Sequence, residues 1–236
     1  ISMKNFVKPT LAAFVSLFFP KLCPGCMNPL FEKEKVICFD CQMSLPQTDH
    51  LRDFENVLWK KMNQLLKVEH AVALFEFQKN SKVQSLLYHL KYKGQQEIGS
   101  FLGNWLVPEL KKSNVFGGVD AVLPLPLHSK RLKQRGYNQV QLFSESLAKH
   151  LQIPLIDDLV YRKKETRQLA KMGMSERWKE IDQAFALQQN KYYPAQHWLL
   201  VDDIITTGAT ISSCGNTILE ACGGRISIVS LASRLS

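Results

Sequence analysis

Trp198-Leu199-Leu200-Val201-Asp202-Asp203-Ile204-Ile205-Thr206-Thr207-Gly208-Ala209-Thr210 is the stretch whose reading decides the fold. The apolar run 198–201 reads as a strand buried on both faces, the habit of a parallel sheet. It ends in two adjacent carboxylates, a short Thr/Gly loop follows, and a helix pattern begins at Ala209. Gly208 lets the backbone turn sharply. The amides of 206–210 can then face an anion at the helix N-terminus, and the threonine hydroxyls add donors. Carboxylates beside such a loop would repel a bare phosphate. They make sense if Asp202 and Asp203 hold hydroxyls, or a metal, on the same ligand. A phosphate with a vicinal diol beside it describes a ribose 5-phosphate. The spacing is neither the G-x4-G-K-[ST] phosphate loop nor the dinucleotide-binding glycine pattern.

Outward from this stretch, the chain alternates strands and helices. Downstream, 209–222 reads as a helix stopped by Gly223-Gly224, and 226–232 as a closing strand. Upstream, 68–77 and 119–127 read as strands, the second interrupted by Pro124 and Pro126, and 153–156 as a short strand. Val83, Leu86, Leu87 and Leu90 recur at helical spacing before Gly94. Ile98, Phe101, Leu102, Trp105 and Leu106 mark a second helix, closed by Pro108, and 138–151 a third. Alternation of this kind predicts an α/β fold with a mostly parallel sheet. Residues 161–180 are basic, hold few large apolar side chains, and read as a mobile loop. Residues 47–66 read as a polar, partly helical connector.

The N-terminal part carries a different signal. Cys23-Pro24-Gly25-Cys26 is followed, after eleven residues, by Cys38-Phe39-Asp40-Cys41. Two C-x2-C knuckles at this separation predict a structural tetrathiolate zinc site on Cys23, Cys26, Cys38 and Cys41. The module 20–46 is too short to fold around an apolar core of its own, so the metal would supply its folding free energy. Cys214 and Cys222 lie in the helical pattern and read as small core residues. His70, His89, His150 and His197 are not spaced as a metal site, and four cysteines leave no place for His50 as a ligand.

Composition narrows the class. With 45% hydrophobic and 22% charged residues in 236, the chain is neither disordered, collagen-like nor a coiled coil. No stretch reaches the ~18–20 apolar residues of a membrane span. The nearest, 11–19, reads as a short helix packed on this protein or on a partner. Thirty Lys+Arg against 21 Asp+Glu give a formal +9. Residues 128–180 hold twelve basic and six acidic side chains, so +6 of the +9 lies there. Anionic partners are expected at that region.

These blocks together resemble a known family. Asp202 to Thr210 resembles the phosphoribosyl pyrophosphate (PRPP) motif of type I phosphoribosyltransferases. Leu90-Lys91-Tyr92-Lys93-Gly94, Leu123-Pro124-Leu125-Pro126, Arg135-Gly136-Tyr137-Asn138-Gln139, Thr166, Arg177, Phe185 and the four cysteines narrow the resemblance to the ComF family, also called ComFC or GntX-like. It implies an N-terminal apolar helix at 1–19, a zinc ribbon at 20–46, a connector at 47–66 and a phosphoribosyltransferase-like domain at 67–236. Asp202 and Asp203 would hold the ribose hydroxyls, and Thr206, Thr207, Gly208, Ala209 and Thr210 the 5-phosphate. Lys130, Arg131 and Arg135 would meet the pyrophosphate, Lys91 and Lys93 would line the opposite wall, and Arg177 would close from a lid at 162–177. Asp202, Asp203 and Arg177 are the catalytic candidates.

The resemblance further implies a cytoplasmic protein of natural transformation that uses Mg²⁺ with PRPP and transfers phosphoribosyl to an unknown acceptor. Thr206 stands where purine-type enzymes often carry an aspartate base, so the loop is closer to the orotate type. Two alternatives belong to other classes. One is a non-catalytic module for single-stranded DNA, working beside competence proteins such as a DNA helicase. The other is a PRPP sensor.

Overall fold

The computed structural model describes residues 19–163, 184–189, 191 and 193–234. The main sheet has four parallel strands in the order β1-β6-β5-β2: β1 Ala71–Glu76, β2 Ala121–Pro124, β5 His197–Ile205 and β6 Arg225–Ser233. Leu155 adds a single parallel bridge to Val122 on the free edge of β2, where 153–156 was expected as a strand. A separate antiparallel hairpin joins β3 Val160–Arg162 to β4 Phe185–Leu187. Residues 161 and 162, at the head of the expected loop, therefore belong to a strand. Residues 164–183 lie outside the described residues.

Strand alternation divides the core into two layers. Val72, Val122, Leu199, Val201 and Val229 face one apolar cluster, and Ala71, Leu123, Leu200 and Ile228 face the other. The first cluster is covered by α3 Lys82–Tyr92, α4 Glu97–Ser113 and α6 Gln141–Leu151, and it takes in Cys23, Cys38 and Cys41 beside the short α1 Phe39–Ser44. The second is covered by α2 Val57–Met62, α7 Ala209–Cys222 and the hairpin. Within 47–66, Leu58, Met62 and Leu66 are buried in that second layer. Val83, Leu86, Leu87 and Leu90 are the buried face of α3, as their spacing predicts.

Pro108 does not close a helix. α4 runs through it to Ser113. An internal proline costs about 3 kcal/mol. Burial of Val107 and Leu110 at about 1.5–3 kcal/mol per side chain offsets that cost. The basic run after β2 also forms a helix, α5 Ser129–Arg135. Its N-cap is His128, whose Nδ1 accepts from Lys130 N at 3.3 Å.

The connections define a crevice. β2 leads through α5 and α6 to Leu155 on its outer side, whereas β5 leads through α7 to β6 on the opposite side. Two adjacent parallel strands whose connections diverge open a ligand site beyond their carboxyl ends.

Candidate functional site

The acid pair sits at this crevice because of strand length. β5 continues through Asp202 and Asp203 to Ile205, two residues past the acid pair expected at the strand's end, and pairs with β6 as far as Ile205↔Ser233. β2 stops at Pro124, opposite Val201. From Asp202 onward one edge of β5 therefore has no neighbour in β2, and the two carboxylates line an open cleft. Alternation separates them. Asp203 points with Val201 toward the α3 layer and is buried. Asp202 points with Leu200 toward the α7 layer and is partly exposed. The Asp202 Oδ1 atom accepts from the Asp203 amide at 2.8 Å.

α3 supplies the facing cation. Lys91 Nζ forms an ion pair with Asp203 Oδ2. A cavity of about 330 Å³ is lined by Lys91, Arg131, Arg135, Arg162, Asp202, Asp203 and Thr210, among others. The low-dielectric surroundings shift both signs of charge. Burial pushes the Asp202 carboxyl up to about 7, with Lys91 and Arg162 pulling it back. Burial brings Lys91 down to about 8; Asp202 opposes that fall, and Arg135 and Arg131 add to it.

The loop after β5 turns at Gly208, with φ +83°. A Cβ there would lie 2.8 Å from Met62 Sδ and 3.0 Å from Leu65 Cδ1. Glycine is thus required both by the left-handed backbone and by α2 packed behind it. Gly208 and Ala209 are buried, Thr206 and Thr207 are exposed, and Lys61 Nζ donates to the Thr206 carbonyl at 2.6 Å. The Arg135–Gln139 block is fixed to its surroundings at two points and braced within itself at a third. Asn138 Nδ2 donates to the Leu125 carbonyl at 2.9 Å, Tyr137 Oη donates to the Leu90 carbonyl, and Arg135 donates to Gln139 Oε1.

Of the residues singled out in the sequence, the cavity brings together Asp202, Asp203, Thr210, Arg131 and Arg135. Lys130 is exposed on α5 and does not line it. Lys91 lies on the acid pair itself, and Lys93 lies over the Tyr88 ring, 5.8 Å from its centre. Arg177 and Thr166 lie outside the described residues. Sequence reading missed Arg162 and the Met62–Leu65 backing. Arg162 stood in a basic run with no pattern of its own, and only the hairpin brings it to Asp202.

The four cysteines converge separately. Their sulfurs lie within 4.8 Å of one another, with Cys26 Sγ and Cys38 Sγ 3.6 Å apart. Four thiolates around one zinc stand roughly 3.8 Å apart. Backbone amides of Cys38 and Cys41 donate to Cys23 Sγ and Cys38 Sγ at 3.4 Å each. Burial raises the Cys23 thiol, but donation from the backbone of Cys38, Cys26 and Gly25 outweighs it and brings the group to about 7. A Cβ on Gly25 would approach Cys41 Sγ to 3.0 Å. The residues fit a closed metal site suited to zinc. His50 is not part of it. It is buried, and its Nδ1 accepts from the Ala73 amide at 3.1 Å on β1.

No family model matches the chain. It is 27% identical over 226 residues to Competence protein F of Haemophilus influenzae, covering 91% of this chain and 98% of that protein. Competence protein ComFC of Bacillus subtilis is 27% identical over 210 residues, covering 85% and 78%. DNA utilization protein YhgH of Escherichia coli is 28% identical over 140 residues, 57% of this chain and 60% of that one. Among solved structures, an adenine phosphoribosyltransferase superposes over 62% of this chain and 74% of its own, at 16% identity and a TM-score of 0.38. The Trypanosoma brucei enzyme in complex with AMP, pyrophosphate and ribose-5-phosphate covers 76% and 80%, at 14% identity and 0.36. Among the described residues, no helix is long and apolar enough to cross a membrane.

Proposed function

We propose, from the membership of the ComF/ComFC family that these relatives support, that the chain acts in DNA uptake by binding PRPP and transferring its phosphoribosyl group to a nitrogen acceptor. The observation that carries this reading is the acid pair at the β2/β5 crevice, flanked by the turn at Gly208 and by arginines. Asp202 and Asp203 accept hydrogen bonds from the ribose 2′- and 3′-hydroxyls. Lys91 releases Asp203 as the diol arrives. The amides entering α7 hold the 5-phosphate, and Arg131 and Arg135 stabilise the departing diphosphate. In the transfer, a nitrogen lone pair forms a bond to the anomeric carbon while the bond from that carbon to the pyrophosphate oxygen breaks. The bonding pair leaves with pyrophosphate, and the acceptor N–H proton passes to water. Mg²⁺ carried by PRPP supplies charge neutralisation for the leaving group.

The test is calorimetric titration with Mg²⁺–PRPP. Wild type is expected to bind, and Asp202→Ala/Asp203→Ala to lose binding while staying folded. A folded, metal-loaded wild type that does not bind PRPP overturns the reading. A second reading, contact with single-stranded DNA, draws on exposed Arg131 and Lys133 on α5 and on Tyr88, which is 48% exposed. It predicts binding that weakens steeply with salt.

A further inference from the structure

Beside the acid-pair cavity lies a second one of about 450 Å³, bounded by Lys91, Tyr92, Arg131, Gln134, Arg135 and Tyr137. The two share Lys91, Tyr92, Arg131 and Arg135 as a common wall. We infer that this second cavity is the acceptor subsite, and that the acceptor is a planar aromatic or heteroaromatic acid carrying its own negative charge. The inference rests on the phosphoribosyl-transfer reading and names the substrate class for it.

Three features of the lining carry it. First, among the described residues no carboxylate lines this cavity, and three cations do. Lys91 has its partner Asp203 in the adjoining cavity and Arg135 already donates to Gln139 Oε1, so an anion here meets Arg131 and the remaining donors of Arg135, from the side opposite the diphosphate. Second, hydrogen-bond acceptors are scarce. The Tyr137 hydroxyl proton is taken by the Leu90 carbonyl and its oxygen receives from the Gly94 amide, while the Tyr92 oxygen is engaged by Arg135, which leaves the Gln134 amide oxygen as the side-chain acceptor among the described residues. The exocyclic amine of a neutral base would be poorly matched, and a carboxylate well matched. Third, one wall is a ring. Tyr92 is 64% exposed, with the Arg135 guanidinium 5.3 Å from its centre and Tyr88 beside it at 5.4 Å. Phosphate needs only donors, whereas a ring wall serves a planar ligand that stacks. The crowding of Lys91, Arg131 and Arg135, which helps hold Lys91 at about 8, is relieved by the same negative charge.

The experiment titrates orotate and nicotinate against adenine and cytosine, by calorimetry, with and without saturating Mg²⁺–PRPP. The acids are expected to bind PRPP-loaded protein about tenfold or more tighter than the neutral bases. Gln134 lines this cavity and not the acid-pair cavity. Gln134→Glu is therefore expected to weaken the acids about tenfold and PRPP, whose diphosphate meets Arg131 and Arg135 from the other cavity, by a smaller factor. Tyr92→Leu, at an exposed ring, is expected to weaken the acids about tenfold through lost stacking. Neutral bases that bind as tightly as the acids overturn the inference. So does a protein that binds PRPP but neither class of probe, or acid binding indifferent to Gln134→Glu. Binding of the acids by a protein that fails to bind PRPP overturns the transfer reading and the acceptor role together, and leaves only an anion site.

Discussion

Asp202→Asn should make the ligand-free protein more stable in mild alkali while destroying its ligand site. The carboxyl of Asp202 is raised from the ordinary 3.8 to about 7, chiefly by burial. Between those two values the native state binds a proton that the unfolded chain has released. The stability this contributes is complete below about pH 4 and is lost as pH rises through 7. At about 1.4 kcal/mol per pH unit, full desolvation would cost about 4 kcal/mol at pH 8. Asp202 is partly exposed and keeps some of its hydration, which brings the cost to about 2 kcal/mol. Asparagine keeps the oxygen that accepts from the Asp203 amide and removes the charge. Urea denaturation of both proteins at pH 8 and pH 4 reads this group together with Lys91, whose titration is coupled to it, while titrations elsewhere cancel in the difference. At pH 8 the variant should be more stable by about 2 kcal/mol, a rise in Tm of about 4–8 °C. At pH 4 the gap should close, and Mg²⁺–PRPP binding should be lost in the variant. A variant less stable than wild type at pH 8, by an amount independent of pH, would refute the reasoning: Asp202 would then be a structural acid and not one held at a cost for a ligand.

Three further outcomes are expected. His50 is held down to about 4, mainly by burial, so its contribution is complete above pH 6.5 and is lost as pH falls toward 4; His50→Gln should flatten that acid limb by about 3 kcal/mol in denaturation measured from pH 7 to 4. Gly208→Ala should cost about 2–4 kcal/mol in thermal or urea unfolding, from the left-handed backbone and the clash with Met62, and the cost should shrink in a Met62→Ala background. Elemental analysis should find one zinc per chain, and cobalt exchanged for it should give thiolate charge-transfer bands that Cys41→Ser weakens. Stripping the metal should also raise amide exchange in α3, which Ser85 Oγ ties to the Pro24 carbonyl of the first knuckle at 2.6 Å. Purified protein without metal, or α3 exchange unchanged on stripping, would count against that coupling.

The Asp202–Thr210 stretch, the two cysteine knuckles, the apolar spacing of α3 and the glycine stop of α7 could be read from the sequence, because each is a local pattern. A helix period, a β-run ending at a glycine turn, or two C-x2-C pairs depend on neighbours a few residues away. The bounds of α7 match the helix read from Ala209 to the stop at Gly223-Gly224. Non-local energies decided the rest. α4 passes through Pro108 because Val107 and Leu110 find a core to enter. α2 lies inside what reads as a polar connector, because Leu58 and Met62 are buried in the core and Met62 backs the turn at Gly208.

The site divides along the same line. By itself the sequence determined the two carboxylates, the loop after them, the likeness to a phosphate-binding turn and the tetrathiolate cluster. Only the tertiary structure decided that β2 ends opposite Val201 and so exposes the edge of β5 at Asp202. It alone set Lys91 on Asp203 and brought Arg162 to Asp202, from segments 112 and 40 positions away in the chain. The physical reason is range. Hydrogen-bonding and apolar periods act within a turn or a strand, whereas a charge chooses its partner by burial and distance in the folded chain, which no local spacing records.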